Sequence, residues 1–410
     1  MCTHVRRVLL PLALAAVMVP ALAAGSHTSG WTEAFEACPA DFAISPEYAT
    51  TYNIPGPQTV VGTVRYTLFV TTGGTAVRVR LTNEKGTTPL FIQAASIALA
   101  GDVPDTAKGN IMSLRFGGQA SITVPAGAPA LSDPVPLKVS AADRLVVSMY
   151  APQGTVFAPI GGASMISAEG DQTQAAQLQG ARPMSGRPFV SGVAVESARP
   201  LPVVVTLGDS LTDGVRGNTK QLRGYSEELS KRFARLPPAK QRSVINAGIG
   251  GNRILQTSWG DNALARLERD VFRVGGVSHI ILFEGINDIG MSGKTVFGDY
   301  PVITADDIIV GYRQIISRAH AKGIKVIVGT LMPFKGAGYY SPEKDQIRQA
   351  LNSWIRSSNE FDGVVDFEAI VRDPGDPLKI KTEFDSGDHI HPNDAGYTAM
   401  GDGIDLTLFR

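Results

Sequence analysis

The stretch VVVTLGDSLTDG, residues 203–214, sets the expected fold of the C-terminal half of the chain. Its first five residues are apolar or β-branched, and the run stops abruptly at Gly208-Asp209-Ser210. Such a run before a tight turn predicts a buried strand whose end carries an exposed hydroxyl. Open parallel sheets hold their ligands at the carboxyl ends of their strands, so we expect Ser210 to lie in a functional site.

After this stretch, candidate strands alternate with segments whose apolar residues recur at helical spacing. The clearest helix comes after Thr304, where apolar residues between Ile308 and Ala319 form one stripe that ends before Gly323. This alternation predicts a parallel sheet with helices on both faces, a three-layer, flavodoxin-like α/β/α domain over residues 201–410. The predicted strands are 203–207, 244–249, 279–283, 326–331 and 364–367.

The N-terminal half carries a different pattern. Residues 25–152 contain short strand candidates separated by Gly, Pro, Asp and Ser, which predicts an antiparallel, β-sandwich-like accessory domain. Within it Val77–Leu81 alternates strictly, and we expect Arg78 and Arg80, on the polar face, to be solvated. Residues 153–200 are rich in Gly, Ala, Pro, Ser and Gln without a sustained period, and we interpret them as a linker.

The charge composition and the N-terminal sequence indicate which partners and which cellular location to expect. The chain has 410 residues with 38 basic and 38 acidic side chains, and this balance argues against a nucleic-acid partner. Residues 1–23 combine Arg6 and Arg7, an apolar segment and Ala21-Leu22-Ala23, the three parts of a signal peptide. We therefore expect a secreted or periplasmic protein without a stable membrane anchor, an uncleaved anchor being the alternative.

A serine hydroxyl needs a base within hydrogen-bond reach before it can act as a nucleophile at neutral pH. The candidate base lies near the end of the chain, in Asp388-His389-Ile390-His391-Pro392. Asp388 and His391 are three residues apart, so the carboxylate could accept the imidazole Nδ1–H and hold the tautomer. His389 is the competing base; we favour His391 because Pro392 ties it to a helix start.

Two further blocks offer donors for a developing oxyanion. Asn246–Asn252 closes the second strand with three glycines, which let a backbone N–H approach closely. Gly285–Asp288 closes the third strand and offers the side-chain amide of Asn287. Taken alone, the glycines of Asn246–Asn252 are typical of a simple turn, and Asn287 is typical of a side chain that caps the following loop. Four such blocks at strand ends together indicate acyl-transfer chemistry.

These blocks resemble the SGNH, or GDSL-type, family of serine hydrolases: Ser210 in Gly-Asp-Ser-Leu, Gly251, Asn287, and His391 with Asp388. The resemblance covers residues 201–410 and implies an SGNH hydrolase fold and catalysis without a metal or organic cofactor. It implies Ser210, His391 and Asp388 as the catalytic residues. It also implies an oxyanion hole formed by the backbone N–H groups of Ser210 and Gly251 and by the Asn287 amide.

The β-rich front half resembles the layout of the acetyl xylan esterase-like subgroup. We therefore expect a secreted serine esterase that hydrolyses short-chain, above all acetyl, esters, such as those of plant cell-wall polysaccharide. Its partner would be a small-molecule or carbohydrate ester, with the oligomeric state left open. One alternative is a lipase or arylesterase that acts on longer or aromatic acyl esters; the other is a non-catalytic glycan-binding protein.

Overall fold

The computed structural model describes residues 30–40, 50, 58–157, 165–184, 186, 189–217, 224–257, 259–295 and 298–410. The predicted signal peptide, residues 1–23, lies outside these ranges. None of the helices within them combines the length and the apolar character needed to span a bilayer. Two large clusters of buried apolar residues underlie an N-terminal β module and a C-terminal α/β module.

The β module is built from antiparallel strands, as predicted. Its two main sheets have the strand orders β1-β12-β3-β8 and β11-β10-β2-β9-β5-β6, and β4 pairs with β7. Alternate side chains of β3, those of Val77, Val79 and Leu81, belong to the core cluster of this module. The strands are β1 (Trp31–Glu36), β2 (Gln58–Phe69), β3 (Ala76–Thr82), β4 (Leu90–Ile92), β5 (Ala94–Ala100), β6 (Ala107–Ser113), β7 (Ile122–Val124), β8 (Pro129–Leu131), β9 (Arg144–Phe157), β10 (Met165–Ala168), β11 (Arg182–Met184) and β12 (Val190–Glu196).

The interpretation of residues 153–200 as a linker is wrong. This segment completes β9 and supplies β10, β11 and β12, and β12 lies between β1 and β3 in the middle of its sheet. Its Gly- and Ala-rich part between β10 and β11 is held through backbone atoms, since the buried Arg65 side chain donates to the carbonyls of Ala175 and Ala176. Contacts to backbone carbonyls do not require apolar side chains at regular spacing. The sequence of this segment therefore has no hydrophobic period and resembles that of a linker.

The α/β module has a five-stranded parallel sheet with the strand order β14-β13-β15-β18-β19. In order of appearance this is 2-1-3-4-5, the flavodoxin-like order, and the predicted fold class is confirmed. The strands are β13 (Val203–Gly208), β14 (Ser243–Gly248), β15 (Val277–Phe283), β18 (Lys325–Gly329) and β19 (Gly363–Val365). A small antiparallel pair, β16 (Lys294–Thr295) and β17 (Gly298–Asp299), follows β15.

Helices cover the sheet, and their ends carry the expected capping residues. The helix after Thr304 begins with a capping box between Thr304 and Asp307, and Ser341 caps the helix that opens at Pro342. Within the described residues the α-helices are α1 (Ser210–Asp213), α2 (Gly224–Ala234), α3 (Ala263–Leu267), α4 (Ile286–Gly290), α5 (Ala305–His320), α6 (Pro342–Ser357), α7 (Phe367–Val371) and α8 (Asp394–Asp402). A π turn, Glu268–Phe272, continues α3, and single 3₁₀ turns lie at Pro238–Lys240, Thr382–Phe384 and Leu406–Phe409.

The two modules share packing and buried polar contacts. Cys38, in the segment that follows β1, is fully buried in the core cluster of the α/β module. Glu36 of β1 is buried between Arg80 of the β module and Arg273 of the α/β module, with N···O distances of 2.9 Å to each. Arg80 is therefore buried in an ion-pair network, and the expectation of a solvated arginine face is wrong at this position.

Candidate active site

Ser210 lies at the carboxyl end of the central strand β13. The turn before it is tight: a Cβ on Gly208 would lie 2.3 Å from the Phe283 carbonyl oxygen, so only glycine fits there. The Asp209 side chain accepts the Leu211 backbone N–H at 2.9 Å and caps α1, which begins at Ser210. The serine hydroxyl is thereby held at the edge of the sheet, where ligands of parallel α/β sheets bind.

The three predicted catalytic residues form one hydrogen-bonded series. His391 Nε2 lies 2.8 Å from Ser210 Oγ, and His391 Nδ1 lies 2.8 Å from Asp388 Oδ2. Residues 181 positions apart in the chain thus meet at one end of the sheet. In this arrangement the imidazole can take the serine proton at Nε2 while Nδ1–H donates to the carboxylate.

The loop before α8 fixes the carboxylate of this series. Asp388 Oδ1 accepts the backbone N–H groups of Ile390 and His391, at 3.2 and 2.9 Å. Burial alone would raise the pKa of Asp388, but the His391 hydrogen bond and these backbone donors hold it well below the usual range. The carboxylate therefore remains ionised and able to stabilise an imidazolium. The exposed Arg216 guanidinium also lies nearby, with Nε 3.4 Å from Asp388 Oδ2.

The structure distinguishes the two candidate histidines. The His389 ring is half exposed, and its Nδ1 lies 2.7 Å from the acceptor Oδ2 of Asp385 rather than close to Ser210. The backbone of His389 has a positive φ of 64°, an uncommon conformation for a residue other than glycine. His391, not His389, is therefore the histidine that reaches Ser210. The helix expected to start at Pro392 begins two residues later, at Asp394.

Gly251, in the loop after β14, and Asn287, in α4, are linked through Asn252. Gly251 has a φ of 72°, and a Cβ there would lie 2.4 Å from the Trp259 ring, so both conformation and space require glycine. Asn287 Nδ2 donates to the Asn252 carbonyl at 3.0 Å, and Asn287 Oδ1 accepts from the Tyr339 hydroxyl at 3.3 Å. One amide hydrogen of Asn287 is committed to Asn252, which leaves the second for a substrate oxygen.

A buried arginine that the sequence analysis did not identify connects the loop after β14 to the ends of two strands. Arg266 of α3 donates to the carbonyls of Gly208 and Ala247, at the ends of β13 and β14, and its Nε donates to Asn252 Oδ1. Its side chain is fully buried, and its Nη2 lies 3.5 Å from Oε2 of Glu284, the residue that follows β15. Arg266 lies on the same buried helix face as Ala263 and Leu267, which indicates burial but does not identify its partners.

Asp288 has a structural role of the same kind. Its two carboxylate oxygens accept the backbone N–H groups of Ile254 and Leu255, at 2.9 and 3.0 Å, and so hold the loop after β14 against α4. Burial raises the pKa of Asp288 to about 6, although both backbone donors oppose the shift.

The described residues include one cluster with the spacing of a metal site, formed by Glu36, Cys38 and Asp270 at the junction of the modules. Its carboxylates already face guanidinium groups: Glu36 pairs with Arg273, and Asp270 pairs with Arg269 at 2.6 Å. Positive charge at this distance disfavours a bound cation. The cluster therefore fits a buried ion-pair network better than a metal centre.

Residues 206–399 match the GDSL-like Lipase/Acylhydrolase family. The α/β module contains a GDSL-like lipase/acylhydrolase domain. The resemblance inferred from the four sequence blocks is thereby confirmed, and the family identifies a carboxylic ester hydrolase. Among curated proteins, none matches this chain in sequence.

Solved structures similar to the GDSL-like domain cover about half of this chain. A GDSL-like lipase from Bacteroides thetaiotaomicron is 20% identical, with 50% of this chain and 87% of that chain covered and a TM-score of 0.36. An acetylxylan esterase from Geobacillus stearothermophilus is 19% identical, with 49% of this chain and 91% of that chain covered and a TM-score of 0.37.

Proposed function

We propose that this protein is a secreted serine esterase that removes short acyl groups, acetyl above all, from carbohydrate esters. The observation that carries the proposal is the hydrogen-bonded series from Asp388 through His391 to Ser210, with 2.8 Å at both links. A glycan-binding protein without activity has no need for an imidazole aligned between a hydroxyl and a carboxylate. The intact series therefore favours an enzyme over the non-catalytic alternative.

The proposed mechanism is a two-step acyl transfer. Ser210 Oγ attacks the ester carbonyl carbon while His391 Nε2 accepts the hydroxyl proton, and the carbonyl electron pair moves to oxygen. The backbone N–H groups of Ser210 and Gly251 and the Asn287 amide stabilise that oxyanion, while Asp388 stabilises the imidazolium. The tetrahedral species then expels the alcohol, which takes the proton from His391. Water attacks the acyl-serine by the same steps and releases the acid.

The size of the acyl group is the finer part of the proposal. The Trp259 ring lies against Gly251, within 2.4 Å of the position that a Cβ would occupy. We infer that this bulk beside a proposed oxyanion donor also restricts the space for an acyl chain next to the reacting carbon. This packing favours acetyl over long acyl chains.

Hydrolysis of p-nitrophenyl acetate by the full chain and by Ser210→Ala tests the reaction. We expect the substitution to abolish turnover, because the remaining groups cannot form the acyl-enzyme. A Ser210→Ala variant that retains turnover would contradict the assignment of the nucleophile. The exposed Ser357→Ala, at the end of α6, provides a matched serine substitution away from the site.

Substrate length and type need separate measurements. A series of p-nitrophenyl esters from acetate to palmitate should show the highest kcat/KM at the shortest chains. A maximum at long chains would replace the proposal with a lipase. Acetate released from acetylated xylan, compared with chemically acetylated cellulose, then tests the polysaccharide substrate.

The location is part of the proposal and rests on the sequence of residues 1–23. Expression of the full chain in a bacterial host should yield esterase activity outside the cytoplasm, with a mature N-terminus just after Ala23. Activity confined to the cytoplasm, on a protein that keeps residues 1–23, would contradict secretion.

A further inference from the structure

The turn between β3 and β4 carries a lysine that reaches out of the β module. This turn, Asn83–Gly86, is firmly anchored: the buried Asn83 side chain donates to the carbonyls of Thr88 and Val124, at 2.8 and 3.0 Å. Lys85 projects from the anchored turn, and its Nζ lies 2.8 Å from Asp261 Oδ1 in the α/β module. The β module thus contacts the loop that follows β14.

Asp261 receives two cations. Its second oxygen, Oδ2, lies 2.7 Å from Arg269, and the side chains of Lys85 and Asp261 are only 18% and 30% exposed. Burial alone would raise the pKa of Asp261, but the hydrogen bonds and charges of Lys85 and Arg269 lower it. An ionised carboxylate at a partly buried position interacts more strongly with its partners than one in open water.

From Asp261 the contacts continue to the proposed oxyanion hole. The Asp261 carbonyl accepts from Asn252 Nδ2 at 2.9 Å, and the Asn252 carbonyl accepts from Asn287 Nδ2 at 3.0 Å. Asn252 is fully buried and directly follows Gly251. Hydrogen bonds thus connect Asp261 to Asn252 and, through Asn252, to Asn287 and to the neighbouring Gly251.

We propose that Lys85 is a positioning residue for ester hydrolysis: through its ion pair with Asp261, the β module holds the oxyanion hole in its working geometry. The inference rests on the proposed function of Ser210 and Asn287. It assigns a catalytic purpose to the β module beyond added stability. Small errors in the position of oxyanion donors are costly, because a misplacement of about 1 Å lowers rates by up to about a hundredfold.

The alternative is an ion pair without catalytic effect, since most surface pairs contribute little. Substitution of Lys85 distinguishes a positioning role from an ion pair without catalytic effect. Removal of the whole β module would not, because it would also expose the core around Cys38. A matched control is Lys231→Met, which breaks a lysine–carboxylate pair of similar exposure within α2, 2.7 Å from Glu228. Lys85→Arg keeps the charge and serves as the rescue variant.

The experiment measures kcat and KM for p-nitrophenyl acetate in the full chain. We expect Lys85→Met to lower kcat about tenfold with KM nearly unchanged, Lys85→Arg to restore kcat to within about twofold, and Lys231→Met to leave it unchanged. In an Asn287→Ala background, Lys85→Met should lower kcat by about threefold or less, because only one of the two donors that it positions, Gly251, is still present. A normal kcat for Lys85→Met, or an equal loss in both backgrounds, would overturn the inference.

A second readout does not depend on activity. Amide hydrogen exchange over residues 249–257 should be faster in Lys85→Met than in Lys231→Met, because the loop has lost its contact with the β module. Unchanged exchange in this segment would also overturn the inference. If Ser210→Ala retains full activity, the proposed nucleophile fails, whereas the exchange result still reports whether Lys85 holds the loop.

Discussion

The Tyr339 hydroxyl donates to Asn287 Oδ1 at 3.3 Å, on the opposite side of the amide from the bond between Asn287 Nδ2 and the Asn252 carbonyl. The two contacts together determine which end of the amide is oxygen and which is nitrogen. A flipped amide would present its oxygen to the developing oxyanion and repel it. Under the proposed mechanism, Tyr339 therefore acts on the reaction through Asn287.

Loss of this contact should reduce the rate without unfolding the protein. Tyr339→Phe removes only the hydroxyl, and a neutral hydrogen bond contributes about 0.5–1.5 kcal/mol, so we expect kcat to fall by about three- to tenfold. The control is Tyr340→Phe, whose ring packs on Phe334 with centroids 5.2 Å apart. Equal kcat values for the two variants would show that Tyr339 does not orient the amide.

Removal of the amide itself should have a larger effect. Asn287→Ala deletes one proposed oxyanion donor, and losses of this kind cost about 3 kcal/mol at the transition state, about a hundredfold or more in kcat. Asn287→Asp keeps the shape but places a negative charge beside the oxyanion, so it should be at least as slow. Both variants should remain folded, with melting temperatures lowered by a few degrees because the Asn252 carbonyl loses its buried donor. A kcat for Asn287→Ala close to the wild-type value would remove Asn287 from the site.

The low pKa of Asp388 predicts a simple acid limb in the pH–rate profile. Burial opposes ionisation of Asp388, but the hydrogen bonds from His391 hold its pKa well below the usual range. The carboxylate thus stays charged across the acid side of the profile and contributes no protonation step of its own. We expect the acid limb of log kcat/KM to have a slope of about one. A slope of about two would mean that a second group, such as Asp388, gains a proton in the same range.

The sequence predicts the α/β sheet and the residues that meet at its edge because both depend on local patterns. An apolar run before Gly208 defines a strand end, and an aspartate three residues before His391 can reach its ring within one loop. Both features can be predicted without information on which residues far apart in the sequence pack together. The parallel order of the strands then brings Ser210 and His391 together.

Buried charges in this protein depend on partners that are remote in sequence. Arg80 alternates with apolar residues in β3 as a solvated residue would, yet it is buried because Glu36, 44 residues earlier, lies against it. Arg266 contacts the ends of two strands 58 and 19 residues away. Such pairings arise only when the elements assemble, so no local period reveals them.

The buried carboxyl group of Asp288 should make stability depend on pH in a defined direction. Burial raises its pKa in the folded protein to about 6, above the ordinary value of 3.8 expected for the unfolded chain. Between these values the folded state retains a proton that the unfolded state releases. The resulting stabilisation is complete below the unfolded pKa and is lost as pH rises through the folded pKa.

The comparison variant is Asp288→Asn, which cannot titrate at this position and places an NH₂ group near the backbone N–H donors of Ile254 and Leu255. We expect the free energy of unfolding of the wild type, measured relative to this variant by urea denaturation, to increase by about 2 kcal/mol between pH 7 and pH 4.5. The steric and hydrogen-bonding cost of the asparagine is the same at both pH values and cancels in this difference. A constant difference, or one that shrinks towards low pH, would show that Asp288 is not the carboxyl group whose proton uptake stabilises the fold.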